Sequence, residues 1–92
     1  MGYRIHPSVL FTDLEDGTSV LLHLDSKFYY TLNDSGTLIW RALMEHEGAS
    51  TGELARTLAT TTFGVGEEVL RPDLDEMFQE MLSEQILLEE QV

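Results

Sequence analysis

The chain has 92 residues, 42% of them hydrophobic, no cysteine, and a formal net charge of −12 from 17 Asp and Glu against 5 Lys and Arg. That length suits one small domain over 1–92, and the apolar content argues against disorder. The acidity opposes nucleic acid as a partner, the missing cysteines exclude disulfide and thiolate chemistry, and no apolar run approaches the roughly 20 residues of a membrane span. The opening MGYRIHPSVL lacks the apolar core of a secretory signal, so the expected location is cytoplasmic.

In chain order, residues 1–8 read as a flexible extended arm, because His6-Pro7 forbids a helix there. Val9–Thr12 is a short strand, and Asp16-Gly17 marks the turn after it. Ser19–Leu24 alternates, with Val20, Leu22 and Leu24 on one face and Leu21 and His23 on the other. Asp25-Ser26 turns the chain into a third strand, Lys27–Leu32, rich in aromatic and β-branched residues. Asn33 or Asp34 then caps a helix to about Glu47, with Leu38, Ile39, Ala42 and Leu43 as its apolar stripe. Gly36, a poor helix former, sits in its first turn where another element must pass close. Ser50-Thr51-Gly52-Glu53 is a capping box that opens a second helix, closed by Phe63-Gly64. A third helix covers about Glu67–Ser83. Pro72 leaves two options: a start near Arg71, or an earlier start with a bend. Ile86–Glu90 is either a last strand or a frayed helix end. The predicted class is α+β: a winged helix-turn-helix-like domain with a three-stranded antiparallel sheet followed by three helices.

Little in this chain points to catalysis. His6, His23 and His46 are scattered without ligand spacing, the acidic residues match no Ca²⁺ loop, and no nucleophile elbow or phosphate-binding glycine loop occurs. No catalytic residue, metal or cofactor is therefore expected. Read as a recognition helix over Glu67–Glu84, this element sets seven carboxylates against Arg71 and makes a poor DNA reader, even in a winged-helix frame.

Two features suit a peptide instead. On the third helix, Leu70, Leu74, Met77, Phe78, Met81 and Leu82 span an arc of about 140° at roughly 100° per residue. One rim is Phe78 and Leu82 beside Arg71 and Asp75; the other is Met77 and Leu70 beside Asp73. The ordinary reading of such an arc is core, and the alternative is that one rim walls a groove. The last strand of the meander is the second feature. It has no proline and only Lys27 as a charge, so its edge is weakly protected and suited to strand addition by a peptide. The terminal strand, the N-terminal arm or a second copy of the chain would otherwise cover it.

The segment Val20-Leu21-Leu22, followed by Tyr29-Tyr30-x-Leu32-Asn33-x-x-Gly36-x-x-Ile39-Trp40, resembles the PqqD family. The resemblance continues through the capped Ser50–Leu58 helix, Asp73-Leu74 with Phe78 and Leu82, and Ile86-Leu87-Leu88, and covers about residues 9–90. It implies a non-catalytic chaperone that binds the leader of a ribosomally made precursor peptide. The leader would then be presented to a modifying enzyme such as a radical SAM enzyme, or to a leader peptidase as in lasso-peptide pathways. By that resemblance the leader adds as a strand to Lys27, Phe28, Tyr29, Tyr30, Thr31 and Leu32 and packs on Arg71, Leu74, Asp75, Phe78, Met81 and Leu82. Relatives often carry a glycine before the final apolar residues, where this chain has Ser83-Glu84-Gln85. The competing expectation is a winged-helix adaptor or regulator that binds protein rather than DNA. A purely structural dimerisation module is the third.

Overall fold

The computed structural model describes residues 2–90; Met1 of the expected arm and the last two residues of the expected domain lie outside it. Five strands and three helices follow in order: β1 (Gly2–Ile5), β2 (Val9–Asp13), β3 (Ser19–His23), β4 (Phe28–Leu32), α1 (Asp34–Glu45), α2 (Thr51–Leu58), α3 (Glu67–Ser83) and β5 (Leu87–Glu90). One π-helical turn, Ala59–Phe63, extends α2. The class is α+β, with the expected three-stranded antiparallel sheet and three helices, an arrangement compatible with a winged helix.

The sheet runs β2-β3-β4, and a separate ribbon pairs β1 with β5. The opening residues, expected as a flexible arm, are thus a strand: Tyr3 lies opposite Glu89 and Ile5 opposite Leu87. Backbone bonds from Tyr3 N to Ala49 O (3.0 Å) and from Gly48 N to Tyr3 O (2.8 Å) occupy the other side of β1. The Tyr3 ring meets the Phe78 ring edge-on at 5.0 Å. The ribbon therefore covers α3, not β4.

Helix starts follow the sequence signals. Asn33 Oδ1 accepts from Gly36 N at 2.8 Å, and Ser50 Oγ from Glu53 N at 3.2 Å, each satisfying one of the orphan amides of a first turn. α3 takes the earlier of the two starts, with Pro72 inside it. Its missing N–H falls on an exposed side of the helix. Gly64 closes the π-helical turn in the left-handed region at φ 66°, a conformation that favours glycine.

Burial decides which face of each element is inner. Leu21, His23 and Ser19 of β3 are buried with Leu32 of β4, and they pack on a helical core of Trp40, Leu43, Leu54, Leu74, Phe78 and Met81. Ser19 and Thr37 satisfy each other's hydroxyls across that boundary at 2.7 Å. The outer sheet face carries Leu10, Leu22 and Tyr29 in one row across the strands.

Candidate peptide-binding groove

The register of the sheet determines what β4 offers a partner. Beyond the ends of the β2–β3 ladder, Leu24 N bonds to Ser8 O (2.9 Å) and Leu14 N to Thr18 O (3.1 Å). Those positions continue the pairing Val9↔His23 to Asp13↔Ser19. In an antiparallel ladder the bonded positions alternate. The even residues of β3 therefore face β2, and Ser19, Leu21 and His23 face β4, opposite Leu32, Tyr30 and Phe28. It follows that Tyr29 and Thr31 turn their amides and carbonyls to the other edge. Among the described residues no strand pairs with that edge.

Below the edge, α3 supplies a wall. A cleft of about 310 Å³ lies between β4 and α3, lined by Tyr30, Thr31, Leu32, Asn33, Gly36 and Met77. Tyr30 Oη donates to Glu80 Oε2 across it at 3.0 Å. Burial first, then that bond and the charges of Glu80 and Glu84, hold the Tyr30 phenol above its ordinary pKa. Gly36 permits the close passage: a side-chain carbon there would lie 3.3 Å from Asn33 Oδ1 and from Leu32 Cδ2. The Leu32-Asn33-x-x-Gly36 sequence thus builds both the strand-to-helix corner and one end of the cleft.

The predicted contact residues separate into three groups. Lys27 to Leu32 lie together on the strand and its approach. Lys27 holds a left-handed turn at φ 62°. Phe28 and Tyr29 are 40% and 66% exposed, Tyr30 is half-buried, Thr31 exposed and Leu32 buried. Leu74, Phe78 and Met81 form the second group and are 0% exposed. They are core, and in this structure they offer a partner no surface. Arg71 and Asp75 form the third group. They line a different concavity of about 410 Å³ between α2 and α3, with Gly52, Ala55 and Arg56. There Thr51 Oγ1 donates to Asp75 at 2.6 Å. Leu82, seven residues beyond Asp75, lies on that same side of the helix. The rim that meets β4 is the Met77 rim, not the Arg71–Asp75 rim expected. Met77, Glu80, Asn33 and Gly36 are the groove residues that the expectation left out. The signal for them was present in the helical arc, but choosing between its two rims needs the direction from which β4 approaches.

The histidines, expected to be scattered, are partly brought together. His6 and His23 have ring centroids 4.5 Å apart, and with Asp25 their ligand-type atoms fall within 4.8 Å of one another. Each Nδ1 accepts a backbone amide, Ser8 N on His6 (3.0 Å) and Asp25 N on His23 (3.3 Å). A neutral imidazole so engaged carries its proton on Nε2. Neither ring then presents a free lone pair, and the pair serves the two turns. Among the described residues no helix is long and apolar enough to cross a membrane.

The family model for coenzyme PQQ synthesis protein D matches residues 18–87, from β3 to the start of β5. Two solved structures are similar over nearly all of both chains. One is TbiB1 in complex with the TbiA(beta) leader peptide, with 24% identity, a TM-score of 0.80, and coverage of 97% of this chain and 99% of that chain. The other is lasso peptide synthetase B1 complexed with the leader peptide, with 25% identity, a TM-score of 0.77, and coverage of 96% and 99%. No curated protein sequence matches the chain.

Proposed function

From the premise that this chain belongs to the family of coenzyme PQQ synthesis protein D, which matches residues 18–87, we propose a cytoplasmic, single-domain, non-catalytic peptide chaperone. It binds the leader of a ribosomally made precursor and presents the rest to a modifying enzyme or a leader peptidase. The observation that carries this reading is the open edge of β4 above the Met77 wall. It supplies main-chain donors and acceptors from Tyr29 and Thr31 and a cleft for alternate side chains, the two requirements of strand addition. The leader-bound lasso peptide synthetase B1, 25% identical over 96% of this chain, supports the same reading.

Thr31→Pro is the direct test. Its amide faces the open edge, so proline there leaves the β3–β4 ladder intact while removing a donor and placing a ring in the path of an added strand. Titration with a fluorescein-labelled synthetic leader of the cognate precursor should show saturable binding to the wild type and loss of at least tenfold in Thr31→Pro. Equal affinity for both would exclude strand addition at β4. A second copy pairing through the same edge would compete with the leader. Sedimentation of the free protein should then show a dimer that the peptide dissolves.

A further inference from the structure

We propose that the outer face of the three-stranded sheet docks the enzyme that processes the bound precursor, and that the bound leader enlarges this docking surface. The inference rests on the leader-binding reading above and adds the place where the second partner sits.

A sheet with one face in water ordinarily turns its apolar residues in and its polar residues out. β3 departs from this. It turns Ser19 and His23 inward with Leu21, all three buried. Val20 and Leu22, with Leu24 just past the strand, turn outward. Pairing extends that face into rows, because residues directly opposite each other share a side. Leu10, Leu22 and Tyr29 form one row, Thr12, Val20 and Thr31 the next, and Leu24 begins a third. No charged side chain interrupts these rows, although the chain carries 17 Asp and Glu and 5 Lys and Arg. Leu10, Leu24 and Tyr29 are 50%, 40% and 66% exposed, so the face is open among the described residues. Contiguous exposed apolar patches mark interaction sites, and depletion of charge distinguishes the centre of a protein–protein interface.

Continuity and extent together name the occupant. Tyr29 and Thr31 also hold the main-chain groups of the open β4 edge. A leader strand added there lies about 4.8 Å beyond them and sets every second side chain in the same rows. Sheet face and leader thus form one surface, met by whatever acts on the precursor. Three strands about 4.8 Å apart and three rows about 6.8 Å apart cover only about 300 Å². A stable interface takes roughly 800 Å² from each partner. The face is therefore too small to hold a partner by itself, and a fourth strand from the leader widens it. A partner that also grips the precursor gains the remainder through that tether. A second copy lacks this tether and would set a charge of −12 against −12 over the same small area. The enzyme surface that fits is apolar at its centre. At one end of the face the β2–β3 turn exposes Glu15 and Asp16, whereas Asp25 and Lys27 balance each other at the opposite end. A Lys or Arg of the enzyme opposite Glu15 and Asp16 therefore sets its orientation.

The test uses the labelled leader, the full cognate precursor and the purified enzyme that processes it, with the wild type, Leu10→Glu and Leu22→Glu. Leu10 lies on β2, two strands from the open edge, so leader affinity should be unchanged in Leu10→Glu, which also reports that the variant folds. Leu10→Ser removes the apolar side chain without adding a charge and serves if the acids disturb the sheet. In biolayer interferometry the enzyme should bind the precursor-loaded wild type about tenfold more tightly than loaded Leu10→Glu, the scale of one central interface residue. It should bind the free wild type more weakly than the loaded one. Glu15→Lys should slow enzyme association, most at low salt. Full enzyme affinity in loaded Leu10→Glu and Leu22→Glu would overturn the docking face and leave leader binding standing. Equal affinity for free and loaded wild type would overturn the leader's share in the surface. No leader binding by the wild type would overturn both readings. Self-association of the wild type that Leu10→Glu abolishes, with enzyme affinity unchanged, would assign the face to a second copy and overturn its role for the enzyme.

Discussion

Tyr30 shows how much of the groove rests on single side chains. Its backbone belongs to the β3 ladder, its ring lines the cleft, and its hydroxyl donates to Glu80 at 3.0 Å. Burial first, then Glu80 and Glu84, raise its pKa, so the folded protein keeps the phenolic proton to higher pH than the unfolded chain does. That contribution to stability is complete below the ordinary tyrosine value of about 10 and is lost as pH rises through the raised value. Tyr3 shifts in the same direction, by burial and then by Glu89 and Asp75. The urea midpoint of the wild type should therefore fall between about pH 9 and about pH 11, and that of Tyr30→Phe should fall less. Equal falls would show that Tyr30 adds nothing to the alkaline loss. The strand alternation in the sequence puts Tyr30 on one face with Phe28 and Leu32. It held no sign of Glu80 as its partner, because the two are 50 residues apart and meet only through packing.

At the scale of elements, the end of α3 shows how Ser83-Glu84-Gln85 closes the helix where the resemblance led to the expectation of a glycine. Ile86 N bonds to Met81 O at 2.9 Å and Gln85 N to Leu82 O at 3.1 Å, and Gln85 takes the left-handed conformation at φ 61°. This is the Schellman arrangement with glutamine at the glycine position, locked by the buried Ile86. The tail geometry is kept at the cost of an unfavourable backbone region. Gln85→Gly should raise stability by about 1 kcal/mol, seen as a higher urea midpoint at unchanged slope. No gain would mean that the glutamine side chain compensates its own strain. Capping signals made the starts of α1 and α2 legible. The two options for the α3 start were settled by packing, since Pro72 on an exposed side of the helix leaves Leu70 free to join the core. The strand character of β1 stayed hidden because its partner, β5, lies at the other end of the chain.

For the whole molecule, a small domain has one core, and α3 must both complete that core and wall the groove. Its two jobs fall on different residues. Phe78→Ala should cost about 3–5 kcal/mol, much of the total stability of a domain this size, and its melting curve should shift or vanish. Met77→Glu, at the groove rim, should weaken leader binding tenfold or more while the protein still unfolds cooperatively. A Met77→Glu protein with full affinity would move the peptide off this wall. The sequence by itself determined what local chemistry can encode: the strand alternation, the caps, the Leu32-Asn33-x-x-Gly36 corner, the α+β class and, through that corner, the family. Only the tertiary structure decided which rim of α3 faces β4, that β5 closes on β1 and leaves the β4 edge open, and that Leu74, Phe78 and Met81 are core. The physical reason is that periodicity fixes which residues share a face, whereas the identity of the neighbour on that face depends on contacts between segments far apart in the chain.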